Sequence, residues 1–115
     1  MLIFTLKKEW YEKIKSGEKT IEYREVKPYW IKRIEKEINW NITVISKIGQ
    51  GHDFNGNYIN HPCKLRLGYT SKYMTANIVK IEVVDGKDTD LHIDKPVYAI
   101  HLTDVREDKN DNKEV

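Results

Sequence analysis

Cysteine is nearly absent from this chain, with Cys63 standing alone. An internal disulfide is excluded, and without a second thiol nearby a cysteine-based zinc site is too, so Cys63 reads as a small packed residue. Long apolar runs are missing: nothing approaches the roughly 20 residues of a membrane-spanning helix. The opening Met1 to Leu6 is too short and too poorly flanked for a signal peptide. The expectation is a cytoplasmic protein with no membrane partner. Charge of one sign is also scarce. A net charge of +2 gives a field too weak to argue for nucleic acid by itself, so any such case rests on local arrangement. There is no internal repeat. His52, His61, His92 and His101 lack metal-ligand spacing, so no metal is expected. Gly49-Gln50-Gly51 has a strand pattern before it but no clear helix after it, which removes a nucleotide-cofactor fingerprint and leaves no cofactor expected.

What is present suits one folded domain. A chain of 115 residues closes one core, and 39% hydrophobic against 33% charged residues is too apolar for a wholly disordered chain. Leu2 to Leu6 reads as a strand that starts in the core. From Glu9 to Ser16, Trp10 and Ile14 share a helical stripe, and Gly17 is placed to end that helix with positive φ. Thr20 to Val26 alternates: Ile21 and Tyr23 share one face, Glu22 and Arg24 the other. Pro28 suits the first turn of a second helix carrying Trp30, Ile31, Ile34 and Ile38.

Ile42 to Ile48 reads as another strand, and a long loop rich in turn formers follows, to about Pro62. Leu65, Leu67 and Tyr69 alternate with Lys64, Arg66 and Gly68 as a half-buried strand. Met74 to Val84 is apolar enough to be covered on both sides. Asp85-Gly86 marks a turn, the span from Val84 to Pro96 reads as a short loop without a helix, and Pro96 to Val105 is the last strand. The domain is expected over 1–105, with Leu65, Leu67, Ile78 and Val83 in its core and a charged, disordered tail over 106–115. The order β-α-β-α and then strands has too few helices to cover a parallel sheet. It predicts an α+β fold: a mixed, mainly antiparallel β-barrel flanked by two short helices.

The stretch Ile14-Lys15-Ser16-Gly17-Glu18-Lys19-Thr20-Ile21-Glu22-Tyr23-Arg24 resembles the signature of the ASCH family, a helix followed by Gly-x-Lys-x-x-Glu-x-Arg on the next strand. Leu65 to Thr70, Met74 and the strand from Ala76 to Val83 are similar to the later paired strands of that family. The resemblance implies a PUA-like barrel whose cleft, between the first helix and the barrel mouth, binds RNA, a nucleotide or a modified nucleoside. Some similar members are amidohydrolases of acylated cytidine, in which the motif lysine works with a threonine and with a carboxylate from a helical segment before the last strand. Lys19 matches that lysine, and Glu22 stands where those enzymes carry threonine.

Two functions follow. The first is a binding module lined by Lys19, Glu22, Arg24, Arg66 and Tyr69, in which Arg24 offers a planar donor to phosphate or a base edge and Glu22 accepts from an exocyclic amine. The second is an enzyme, either a hydrolase of modified nucleosides or a small ribonuclease, with Lys19 and Glu22 as proton-transfer groups. A protein-interaction domain is a third, smaller possibility. Solvated charges on an edge strand are the plain alternative for Lys19, Glu22 and Arg24. Trp10, Trp30 and Trp40 read as core or interface. Tyr69 and Tyr73, flanking a turn beside Arg66 and Lys72, suit either strand-end packing or an unstacked base.

Overall fold

Period-two burial at Leu2, Phe4 and Leu6 makes the first strand, β1 (Leu2–Leu6), one-sided. Helix α1 (Lys8–Ser16) follows and buries Tyr11 and Ile14. Gly17 ends it at φ 88°, a left-handed turn that L side chains resist, and its amide donates to the Ile14 carbonyl at 3.1 Å. The chain then enters β2 (Ile21–Glu25) and α2 (Pro28–Ile38). Beyond lie β3 (His61–Leu67), β4 (Tyr73–Asp85), a 3-10 turn at Gly86–Asp88 and β5 (Pro96–Glu107). This computed structural model describes residues 1–38 and 60–107. The strand expected at 42–48, the loop up to residue 59 and Trp40 lie outside the described residues, as does the tail from residue 108.

The five strands form one sheet in the order β1-β3-β4-β5-β2, with β1 parallel to β3 and the other pairs antiparallel. It curls into a half-barrel. α1 packs on β1, β3 and β5, and α2 on β1. Tyr11, Ile14, Trp30 and Ile34 thereby join Phe4, Leu65, Met74, Ile78 and Ile100 in a single core, where each large side chain contributes about 1.5–3 kcal/mol. No helix among the described residues is long and apolar enough to cross a membrane.

An α+β architecture with two helices agrees with the expectation, but among the described residues the sheet is not closed by backbone pairing, and β1 and β2 stand at its two ends. β4 is not covered on both sides either, since its burial alternates along most of its length. Leu65, Ile78 and Val83 are core residues, whereas Leu67 is only partly buried against the core. β3 ends at Leu67, so Tyr69 belongs to the following turn and is 92% exposed.

The last strand runs past the expected boundary to Glu107. A bulge sets the continuation: Asn77 pairs with Thr103 but Thr75 with Arg106, and Asp104 takes φ 55° where β5 has the extra residue. The shift brings Glu107 under α1, where it accepts from the buried Tyr11 hydroxyl at 3.0 Å and pairs with Lys15 at 3.1 Å and Lys72 at 3.4 Å. Burial pushes the Glu107 carboxyl upward, but the hydrogen bonds from Lys15, Tyr11 and Lys72 win and hold it below its usual range. A depressed carboxyl contributes stability that is complete above its unfolded value and is lost as pH falls through the folded one. Glu107→Gln should therefore lower stability by about 1 kcal/mol at neutral pH. The gap from wild type should close below about pH 4, as followed by urea melts across pH. A gap that persists in acid would show that the charge plays no part.

Candidate functional site

The two sheet edges leave a seam, and a side chain crosses it. Arg24, on β2, donates from Nη2 to the Thr5 carbonyl of β1 at 3.0 Å and to Glu22 Oε2 at 2.8 Å. Its guanidinium lies 5.4 Å from the Phe4 ring centre and 5.3 Å from that of Trp30, and these two rings stack at 5.2 Å. Arg24 Nε is buried without a hydrogen-bond partner. The register explains the direction. Glu22 stands opposite Ile100 and Arg24 opposite Tyr98, both fully buried, so the charged face of β2 points into the half-barrel and Ile21 and Tyr23 take the other face.

Around this pair lies a cavity of roughly 480 Å³, lined by Thr5 to Lys7, Trp10, Lys19, residues 22–25, Lys27, Trp30, Asp90, Leu91 and Ile93. Glu22 is only 7% exposed. Burial raises its carboxyl above the ordinary value, opposed by Arg24 and Lys19 and assisted by Asp90. Four cations line the cavity against three carboxylates; Lys7 and Lys27 are exposed and pair with no carboxylate among the described residues.

Lys19 is the second anchor. The Gly17 turn returns its amide to the Lys13 carbonyl at 3.0 Å. Its Nζ sits 2.7 Å from Asp90 Oδ2 and 3.9 Å from Glu22 Oε1, between the rings of Trp10 at 5.3 Å and Tyr23 at 4.9 Å. A second recess, lined in part by Lys13, Glu18, Thr20 and Asp88, shares Trp10, Lys19, Tyr23 and Asp90 with the first, so this group forms the wall between them.

Asp90 is the residue that the sequence reading missed. The span before β5 is more than a plain loop: a 3-10 turn opens it, and the Thr89 hydroxyl, buried, donates to the Gly86 carbonyl at 2.9 Å and accepts from the Leu91 amide at 3.2 Å. Gly86 has no room for a Cβ, which would meet the Lys95 carbonyl at 2.6 Å and the Ile93 carbonyl at 2.7 Å. That close backbone approach folds 86–95 back on itself and delivers Asp90 to Lys19. The Asp85-Gly86 pair was the available signal, since Gly where backbones meet is a common reason for its presence.

Of the five residues expected to bind ligand, Lys19, Glu22 and Arg24 converge on the cavity. Arg66 and Tyr69 are not among its lining residues. Trp10 and Trp30, expected as core or interface, do both: Trp30 is a core residue, Trp10 packs partly buried against the core, and each lines the cavity. Cys63 is buried and its thiol is pushed up to about 12 by burial, with Glu22 adding to the effect, so it is no nucleophile at neutral pH. Among the described residues no cluster of His, Cys, Asp and Glu is arranged to hold a metal. No family model, curated protein or solved structure matches the chain.

Removing one partner of a buried ion pair strands the other. Arg24→Met should destabilise by about 3 kcal/mol at neutral pH, with partial recovery in the double variant Arg24→Met, Glu22→Leu. The sign with pH is opposite to that of Glu107. A carboxyl raised in the folded state binds its proton more tightly than the unfolded chain does, so folding gains as pH falls through the raised value toward 4.5. Denaturant melts of Arg24→Met at mildly acidic and neutral pH should show the deficit shrinking in acid. An equal deficit at both would mean that Glu22 is not the stranded charge.

Proposed function

We propose that the chain is an ASCH-type, PUA-like domain that binds a nucleotide or modified nucleoside in the seam cavity, either free or as an accessible position in RNA. The reading is carried by one observation: a buried carboxylate-guanidinium pair and the rings of Trp10, Tyr23 and Trp30 line a single cavity of roughly 480 Å³. That size and mixture suit a small planar ligand, because a few placed polar groups fix orientation while aromatic faces supply burial. Glu22 accepts from an exocyclic amine. Arg24, with Nη2 committed to Glu22 and Thr5, offers its remaining amino group to the base edge. Lys7 and Lys27 at the rim meet a phosphate.

Calorimetric titration of cytidine and CMP tests this reading. Arg24→Lys keeps the charge but loses the fork, and should weaken both ligands by about tenfold. Lys7→Gln with Lys27→Gln should weaken CMP alone and flatten its salt dependence. Failure of wild type to hold any nucleoside or nucleotide would sink the proposal.

A second reading, hydrolysis of an acylated nucleoside or of RNA, is favoured by the 2.7 Å contact between Lys19 and Asp90. Here Asp90 orients the Lys19 ammonium toward the developing oxyanion, and Glu22, its carboxyl raised by burial, takes a proton from the attacking water and passes it to the departing amine or ribose oxygen as the acyl or phosphodiester bond breaks. Asp90→Asn should then cut turnover of N4-acetylcytidine by about a hundredfold while sparing cytidine affinity. Wild type that turns over neither this substrate nor an oligoribonucleotide rules the enzyme out and leaves the binding reading standing.

A further inference from the structure

Arg66 and Tyr69 fall outside the seam cavity, but neighbouring strands gather them with other residues on a different surface. Cross-strand pairing sets Lys64, Thr75 and Arg106 side by side in one row, and Arg66 beside Tyr73 in the next. On β3 and β4 these positions alternate with the buried Cys63, Leu65, Met74 and Ala76, so they share the outer face of the sheet. Three cations stand there. The one ion pair that any of them makes among the described residues joins Arg106 to Asp104 at 3.1 Å. Lys64 Nζ is held 4.2 Å from the centre of the Tyr73 ring, and Arg66 Nε is buried with no hydrogen-bond partner.

Tyr69 stands at the end of this face on a braced turn. The Thr70 hydroxyl donates to the Leu67 carbonyl at 2.7 Å and accepts from the Lys72 amide at 3.2 Å, while the Leu67 amide donates to the Lys72 carbonyl at 3.0 Å. A tyrosine held out at 92% exposure on so firm a turn makes no packing contribution that would account for it.

We propose that this outer face binds single-stranded nucleic acid, with phosphates on Lys64, Arg66 and Arg106 and an unstacked base on Tyr69. Lys64 and Arg66 lie two residues apart along β3, about 7 Å, so the face repeats positive charge at short intervals beside an open ring. A single strand repeats negative charge beside flat bases and matches both features. An acidic peptide matches only the charge. A lipid surface would call for a wider apolar ridge than Ile3 supplies. The proposal does not depend on the seam cavity.

Fluorescence anisotropy of the full chain with short labelled oligouridylate and oligothymidylate, at low and physiological salt, supplies the test. Wild type should bind both, more weakly as salt rises. Lys64→Gln with Arg106→Gln should lower the salt slope by about 1.4, and Tyr69→Ala should weaken binding by about tenfold with an unchanged melting temperature. The proposal is overturned if wild type holds neither strand, if these variants bind as wild type does, or if polyglutamate or anionic vesicles compete as well as the oligonucleotides.

Discussion

An arginine spanning an unclosed sheet organises this molecule. Among the described residues no further strand pairs with the outer edges of β1 and β2, and natural sheets cover such edges. Here Arg24 meets the Thr5 carbonyl, and the cost of placing a guanidinium in that position is offset by Glu22 beside it and by the Phe4 and Trp30 faces against which it lies. The clasp ties the two strands together, and the seam cavity lies around it. The cavity thus lies where the described strands leave a gap between β1 and β2.

The same constraint sets the chemistry. Glu22 is buried because β2 turns its charged face inward, and burial raises its carboxyl despite two neighbouring cations. Lys19 is held from outside by Asp90 and from the sides by Trp10 and Tyr23. One carboxylate is thereby raised by burial while another, Asp90, fixes a cation beside it. Arg24, with Nη2 engaged by both Thr5 and Glu22, is a structural residue of the seam.

Charge is distributed to match. The net +2 of the whole chain says little, but exposed Lys7 and Lys27 flank the seam, and Lys64, Arg66 and Arg106 share the outer sheet face. Arg106 pairs with Asp104, and Glu107 gathers Lys15 and Lys72 beneath α1. A nearly neutral molecule thereby carries two local groupings of cations, each small enough to be invisible in an average.

Much of the fold was legible because its signals are local. Gly17 after an amphipathic turn, the alternation from Ile21 to Arg24, Pro28 before a helical stripe and the inward Leu65 and Ile78 each follow from backbone sterics and burial period, which need no distant partner. The grouping of Lys19, Glu22 and Arg24 was legible for the same reason, since they lie within one turn and one strand. Closure of the barrel was not, because strand number and edge pairing are decided by which distant segments meet. Asp90 was hidden because its approach to Lys19 depends on the backbone folding back at Gly86, and that Arg66 and Tyr69 do not line the seam cavity was hidden because face and position along the sheet follow from register with β1 and β4. The sequence by itself determined the elements and the charged motif; only the tertiary structure decided that the motif faces inward across an open seam, since long-range pairing sets which edge a side chain can reach.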